Sequence, residues 1–542
     1  MNNRNQNERG ETDWQDQPGY RYRGIKACYH KQEIPNYKGN PLLEALIPML
    51  KEEEIGPLLR YDPGYDEQYR QWEPELRLHL IVDALRFVEP LSNHLALAQL
   101  LDCLLRSGYV GRNPFPRKAH LLNHRARLER MKAGLSALPL LQSTGREISV
   151  IGLSGVGKTT ALKSILALYD QIINHGRYRG KPFTLRQLVY VKLECPQDGS
   201  LGGLCKAFFK EVDRLLETNT FRLYVKSGRR TVDEMLIDMA EVAARHFLGF
   251  LVIDEIQNLR EANGDGAARV HNFLVQLGNE LGIPVVLVGT PKAQSILTGE
   301  FRRARRASGL GAFPWDRMQE DGEWDVFTKA LWRYQYVRKP IPLSDELRHA
   351  LYFESQGITD LAVKLFMLAQ IEAIARARDD EEVKVEEEVT KALIEEVAQD
   401  RLRYMQRFLN ALRENDPEEL KKFQDIAPLD LEFAVSEAIL TLRHRQSGAP
   451  SSTETSDSAE GQQSKEREEN TEANSGERQE SKDQRPSKKR PDFTKLCLIK
   501  TVLKGELDGI NEYESLKQGG FVRLAWEYFK INPITDTEAL SA

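Results

Sequence analysis

The chain has little cysteine, and what it has is odd in number and scattered: Cys28, Cys103, Cys195, Cys205 and Cys497 among 542 residues. No Cys-x-x-Cys pair occurs, and the one His-x-x-x-His spacing, His120 and His124, stands in a basic stretch. A disulfide framework is excluded, no Cys/His metal site is expected, and a reducing, bacterial cytoplasm is the expected setting. No apolar run approaches the roughly 18 residues that a membrane helix needs, so no membrane partner is expected. The first residues, MNNRNQNERGETDWQDQ, lack the apolar stretch of a secretory signal. Residues 443–492 contain no Val, Ile, Leu, Met, Phe, Trp, Tyr or Cys. Such a stretch has no apolar area to offset its ordering entropy and is expected to be a disordered linker. Excess charge of one sign is missing too: the net charge is −5. That excludes a uniformly basic coat but not a local basic patch.

What is present divides the chain by pattern. Residues 1–36 are polar and read as unstructured. Residues 37–108 read as an N-terminal helical, partner-facing region. There Asn40 and Pro41 open a helix, Pro48 stops or kinks it, and helical blocks follow at 75–106. Residues 109–340 read as an α/β core, beginning with a basic helical stretch at 117–138. Apolar runs at 148–152, 188–193, 248–253 and 285–289 alternate with helical stretches at 158–174, 201–217, 231–246 and 268–281. Strands apolar throughout, joined by helices, imply a parallel sheet covered on both faces. A helical lid follows at 341–412, with Leu361, Leu365, Leu368 and Ile371 on one stripe, then a helical extension at 413–442. Beyond the linker, 493–542 regains Leu496, Ile499, Trp526 and Phe529. It reads as a docking segment on a tether, or as a small extra helix on the main body.

The most specific string is Gly152-Leu153-Ser154-Gly155-Val156-Gly157-Lys158-Thr159-Thr160. It is a complete G-x-x-x-x-G-K-[ST] loop. Glycines let backbone N–H groups wrap a phosphate, the lysine brings a charge near the β- and γ-phosphates, and the Thr159 hydroxyl is placed for Mg²⁺. The strand Phe250–Ile253 ends in Asp254-Glu255. Asp254 is expected at the metal and Glu255 at the attacking water, so ATP and Mg²⁺ are the expected ligands. Thr290 ends another buried strand and is a candidate for sensing the γ-phosphate or the water. Hydrolysis gains from a cation on the developing charge, and Arg302, Arg303, Arg305 and Arg306 are candidates for that role from a neighbouring subunit. Lys364, early on a lid helix, could reach the phosphates. Basic residues cluster at 103–132, with eight Lys or Arg against one acid, at 177–192, and at 222–230. Such clusters attract phosphate backbones without reading bases.

Together these motifs resemble the AAA+ ATPases and, more narrowly, the TnsC-like regulators of Tns-type DNA transposons and their TniB relatives. The carrying residues are Tyr37–Leu46, Gly108–Pro114, Gly152–Thr159, Leu251–Gln257, Val288–Ala293, Arg303–Arg306 and Ser355–Asp360, spanning about 37 to 400. The resemblance implies an ATPase that forms a ring or filament as a homo-oligomer on double-stranded target DNA. It would link a target-selection protein, TnsD- or TniQ-like, to transposase subunits, and ATP hydrolysis would reset the complex. It also implies that Tyr109 and Val110 lie on the adenine side of the nucleotide. DNA contacts would come from Pro196–Ser200 and from Lys226, Arg229, Arg230 and Thr231. Lys364 stands where an AAA+ lid ordinarily carries arginine. An initiator or loader ATPase without a transposase, and a small-molecule phosphotransferase, are the competing readings. The latter leaves Glu255 without a role.

Overall fold

The computed structural model describes residues 24–115, 147–226, 230–261, 281–293, 312–379, 384–420 and 431–446, with a few single positions besides. The chain divides into two units, Met1–Thr453 and Glu454–Ala542, and every described residue belongs to the first. Most of the 443–492 stretch and the whole 493–542 segment therefore lie outside the described residues, as does the basic stretch at 117–138 apart from Glu129.

The N-terminal layer comprises α1 (Pro41–Glu44), α2 (Glu52–Leu59), α3 (Pro74–Asp83) and α4 (Ser92–Val110). Asn40 caps α1 as expected, accepting from Leu42 N at 3.1 Å, and its amide also donates to the Tyr109 carbonyl at 2.8 Å. One side chain thus starts a helix and ties it to α4. Residues 24–36 depart from the expectation of an unstructured start. Ile25–Lys26, β1, pairs in parallel with Ile173–Asn174, and Tyr29 donates to or accepts from His175 Nδ1 at 2.8 Å. Aromatic residues spaced through a polar segment can dock on a sheet that composition alone does not reveal.

The core sheet is all parallel, in the order β5-β6-β7-β2-β8. Its strands are β2 (Glu147–Ile151), β5 (Tyr190–Glu194), β6 (Phe250–Asp254), β7 (Val285–Gly289) and β8 (Ala312–Pro314). Every residue of β6 and β7 is buried, the outcome of helices covering both faces. Helices α5 (Lys158–Leu166), α6 (Leu201–Leu216) and α7 (Val232–Arg245) connect the strands. This is the AAA P-loop fold.

Two sequence expectations fail here. The helix expected to reach 174 ends at Leu166, and Ile172–Tyr178 is a strand, β3, hairpinned to β4 (Lys181–Leu188). Adjacent β-branched Ile172 and Ile173 and the following Gly176 disfavour helix. Arg179 and Gly180, both at positive φ, supply the two-residue turn that strand twist favours. The apolar run 188–193 is therefore shared between two sheets, β4 ending at Leu188 and β5 starting at Tyr190. The three-residue edge strand β8 carries no periodic signal and was not foreseen.

The lid contains α8 (Gly322–Leu331), α9 (Asp345–Ser355), α10 (Thr359–Arg376), α11 (Lys391–Arg401) and α12 (Gln406–Arg413). The stripe Leu361, Leu365, Leu368 and Ile371 is buried. So are Phe366, Met367 and Ala369 beside it, making α10 a central helix covered nearly all round. The extension includes Pro417–Leu420 as α13 and Leu431–Gln446 as α14, the latter running four residues into the expected linker. The N-terminal layer and the lid share one hydrophobic core. They are also joined by Arg77, which makes a two-pronged ion pair with Glu387 at 2.5 and 2.9 Å.

Candidate nucleotide site

The phosphate loop leaves the carboxyl end of β2, where open parallel sheets bind ligands. Because β7 lies between β2 and β6, the strand order sets Thr290 between that loop and Asp254–Glu255. The loop's shape needs its glycines. Gly155 and Gly157 sit at φ +78° and +91°, and a Cβ on Gly152 would lie 1.9 Å from the Trp315 carbonyl oxygen. Trp315 follows β8 and clamps the loop from the other side. Its backbone N donates to Ile151 O at 2.8 Å and its indole N–H to Val156 O at 2.8 Å. The lid closes on the same loop, since Gly155 O accepts from Asp360 N at 2.9 Å and from Thr359 Oγ1 at 3.1 Å.

Within this frame the polar groups converge. Lys158 is buried and its Nζ donates to Gly152 O and Leu153 O at 2.9 and 2.5 Å. Thr159 Oγ1 lies 3.2 Å from Asp254 Oδ2, and Lys192 Nζ, from β5, lies 2.9 Å from the same oxygen. Asp254 Oδ1 accepts from Glu255 N at 3.1 Å. Glu255 is held at φ +56°, a left-handed backbone that a non-glycine residue keeps only under constraint from its surroundings. Gln257 supplies part of that constraint. Its amide donates to Glu255 Oε2 while its carbonyl oxygen accepts from Thr290 N at 3.1 Å. Thr290 Oγ1 is buried with no hydrogen-bond partner among the described residues.

A cavity of about 420 Å³ is lined by Ser154–Thr160, Glu255, Thr290, Thr359 and Asp360, which gives it a polar end. Its apolar wall includes Leu85, Phe87, Val88, Leu91, His94 and Trp315. The His94 ring lies edge-on to Trp315 at 5.2 Å, and burial pulls its pKa down to about 4, so the imidazole is neutral at pH 7. The volume falls in the range of small-molecule sites.

The residues fit a Mg²⁺-nucleotide on three counts. A glycine cradle precedes the N-terminus of α5, a hydroxyl and a carboxylate share one point, and Thr290, with its orphan hydroxyl, lines a ligand-sized space. Mg²⁺ takes few protein oxygens and completes its shell with phosphates and water. No cluster of three or more His, Cys, Asp or Glu suited to a metal occurs among the described residues.

Not every expected residue is here. Tyr109 and Val110 do not line the cavity. Tyr109 is fully buried, donates to Phe247 O at 2.9 Å, and lies under the Arg112 guanidinium at 4.7 Å. Arg112 in turn donates to Leu248 O at 2.5 Å. This motif fastens the N-terminal layer to the start of β6, and the apolar wall comes instead from residues 85–94. Lys364 is likewise not in the lining, and its Nζ pairs with Asp360 Oδ2 at 2.9 Å, one turn back on α10. Arg302, Arg303, Arg305 and Arg306 lie outside the described residues, as does Arg229. Lys226 ends a π-helical turn. Arg230 pairs with Asp238, and Thr231 is the N-cap of α7, accepting from Glu234 N at 3.3 Å.

The basic clusters also come apart in three dimensions. Arg106 and Arg112 are interior. In the 177–192 run, Lys192 turns to Asp254, Arg186 donates to the Leu216 carbonyl at the end of α6, and Arg179 pairs with Glu44 at 3.0 Å. Sequence reasoning missed the roles of Lys192, Gln257, His94 and Trp315. Gln257 alone stood inside a quoted motif, and the other three carry no local signal.

Residues 141–297 match the family model of the AAA domain. That stretch, which holds the phosphate loop and β6, is similar to the AAA domain. That match spans under a third of the 542 residues. No curated protein matches the chain. Among solved structures, the fold is similar to a Walker-type ATPase of Pyrococcus abyssi, at 13% identity and a TM-score of 0.34, over 59% of this chain and 88% of that one. It is also similar to the Aeropyrum pernix ORC2 protein, at 12% identity and a TM-score of 0.30, over 61% of this chain and 86% of that one. Around the AAA domain, no described helix is long and apolar enough to cross a membrane.

Proposed function

We propose that this protein hydrolyses ATP and uses the cycle to assemble on, and leave, double-stranded DNA, linking a target-selection protein to a transposase. The observation that carries hydrolysis is the Gln257 bridge. It holds Glu255 and Thr290 together at the edge of a cavity that Lys158 and Thr159 also line, with Asp254 behind the Thr159 hydroxyl at 3.2 Å. Lys158 and the loop amides bind the phosphates. Glu255 orients the attacking water and takes its proton, a role a carboxylate fills when it is positioned and partly exposed. Thr290 Oγ1 has hydrogen-bonding capacity to spend on the water or the terminal phosphate. Mg²⁺, when bound, neutralises phosphate charge, and Thr159 with Asp254 would hold it. An arginine among Arg302, Arg303, Arg305 and Arg306 would complete the site from a neighbouring protomer.

Support for the transposition role is the resemblance at Gly108–Pro114, Leu251–Gln257 and Val288–Ala293. Phosphate-backbone contact by the Lys226–Thr231 loop belongs to this proposal, and salt-dependent binding is its physical signature. Negative-stain microscopy of the full chain with ATP, a slowly hydrolysed analogue and linear duplex tests it. Rings or filaments that need nucleotide and weaken as salt rises are expected, as is capture of the transposase encoded beside the gene. Monomers at every concentration, or assemblies that engage a loaded helicase and no transposase, overturn the reading.

A further inference from the structure

Asp254 is more crowded than a metal carboxylate needs to be. One oxygen, Oδ1, is taken by the Glu255 backbone N–H at 3.1 Å. The other, Oδ2, is shared by the Thr159 hydroxyl at 3.2 Å and the Lys192 ammonium at 2.9 Å. The carboxylate is 3% exposed and Lys192 16% exposed, so this is a largely buried ion pair, screened far less than a surface one. Lys192 has a second acid within reach, since Glu194 Oε1 lies 3.8 Å from its Nζ on the same strand. Glu194 is exposed, with 73% of its side chain open to solvent.

We infer that Lys192 is a positioning residue that competes with Mg²⁺ for Asp254 and yields by swinging to Glu194. The inference rests on the nucleotide reading above and adds to it a setting for metal affinity. The argument is one of charge. A buried carboxylate without a counter-ion is costly, and Lys192 supplies that counter-charge and holds Asp254 in place. One oxygen cannot serve an ammonium and a divalent cation at full strength, because the two cations repel. Entry of the metal therefore requires the ammonium to leave. Its departure is eased by an acid one pleat away, on the solvent side, that needs no backbone change to reach. The metal requirement of the site is then tuned from both ends: Lys192 raises it, and Glu194 lowers it.

The two residues give opposite signs, which a merely structural role does not. The measurement is equilibrium binding of a ribose-labelled fluorescent ADP to the full chain during a Mg²⁺ titration, with no turnover involved. Lys192→Met is expected to lower the half-saturating Mg²⁺ about tenfold, the order of one charge-assisted hydrogen bond. Glu194→Gln is expected to raise it about twofold to threefold, as befits an exposed acceptor. Lys192→Arg keeps the pair and is expected to raise it or leave it as in wild type, and it remains informative should Lys192→Met fold poorly. An unchanged or raised requirement in Lys192→Met, or a wild-type requirement in Glu194→Gln, overturns the inference while leaving the nucleotide site standing. Wild type that binds no nucleotide at any Mg²⁺ concentration removes the nucleotide reading, and this inference with it.

Discussion

At Glu387 both carboxylate oxygens are taken. Arg77 holds one at 2.5 Å and the other at 2.9 Å, and the Arg338 backbone N–H adds a third bond at 3.0 Å. Arg77 also donates to the carbonyls of Trp72 and Tyr336, at 2.9 and 2.8 Å. The cavity at the end of the core sheet is also buried and ionic, but its chemistry is left incomplete. Thr290 Oγ1 has no partner among the described residues, Glu255 sits on strained backbone, and the Asp254 carboxylate is shared with a lysine that has a second acid nearby. The first centre joins the N-terminal layer to the lid, and its satisfaction is internal. The second leaves one buried hydroxyl, Thr290 Oγ1, that a ligand can use. Buried charge by itself therefore does not mark a site.

The largest expected effect is on catalysis. Glu255→Gln should cut phosphate release by about 10²–10⁴-fold, the usual contribution of a general base. Its unfolding midpoint and nucleotide affinity should stay near wild type. Equal turnover would put water activation elsewhere and erase the contrast. Next is Arg77→Met, which strands Glu387 in the interior. A loss of about 3–5 kcal/mol is expected, read from the urea midpoint, with nucleotide affinity of the folded protein unchanged. Weakened nucleotide binding in that variant would show the two centres to be coupled.

A smaller effect should come from His94, in the apolar wall of the cavity. Its folded pKa of about 4 lies below its ordinary 6.5. Between those values the unfolded chain binds the extra proton, so its contribution to stability is full above about 6.5 and is lost as pH falls toward 4. His94→Gln should flatten that part of the pH–stability curve, and an unaltered curve would remove the assignment. Smallest is Thr290→Val. Replacing an orphan hydroxyl should leave stability unchanged or raise it by up to about 1 kcal/mol, while turnover falls. A clear destabilisation would mean that Thr290 is satisfied structurally, like Arg77.

Much of the site was legible because its signals are local. Gly152–Thr160 and Asp254–Glu255 are contiguous strings whose residue types follow from phosphate and metal chemistry. Asn40 and Pro41 marked a helix start in the same way. The apolar wall was not legible: Phe87 and His94 belong to the N-terminal layer, and Trp315 follows a three-residue edge strand. Nothing in their neighbours' identities encodes their meeting. The basic clusters misled for a related reason. A lysine such as Lys192 looks the same in sequence whether it faces water or a buried aspartate. Alternation along a β-strand sends neighbours to opposite faces, so a run of cations need not form one surface.

Sequence by itself determined the glycine-rich loop, the two acids at the end of β6, the parallel character of the core and the absence of a membrane helix among the described residues. These depend on backbone conformation and hydrophobic pattern over a few residues, which the chain carries locally. Tertiary structure decided which residues wall the cavity, that Tyr109 and Arg112 are interior, that Gln257 joins Glu255 to Thr290, and that Lys192 shares Asp254 Oδ2 with the Thr159 hydroxyl. Each of those depends on strand order and on helix packing between segments far apart in the chain. Distance in sequence carries no information about which side chains a covered sheet will bring within 3 Å.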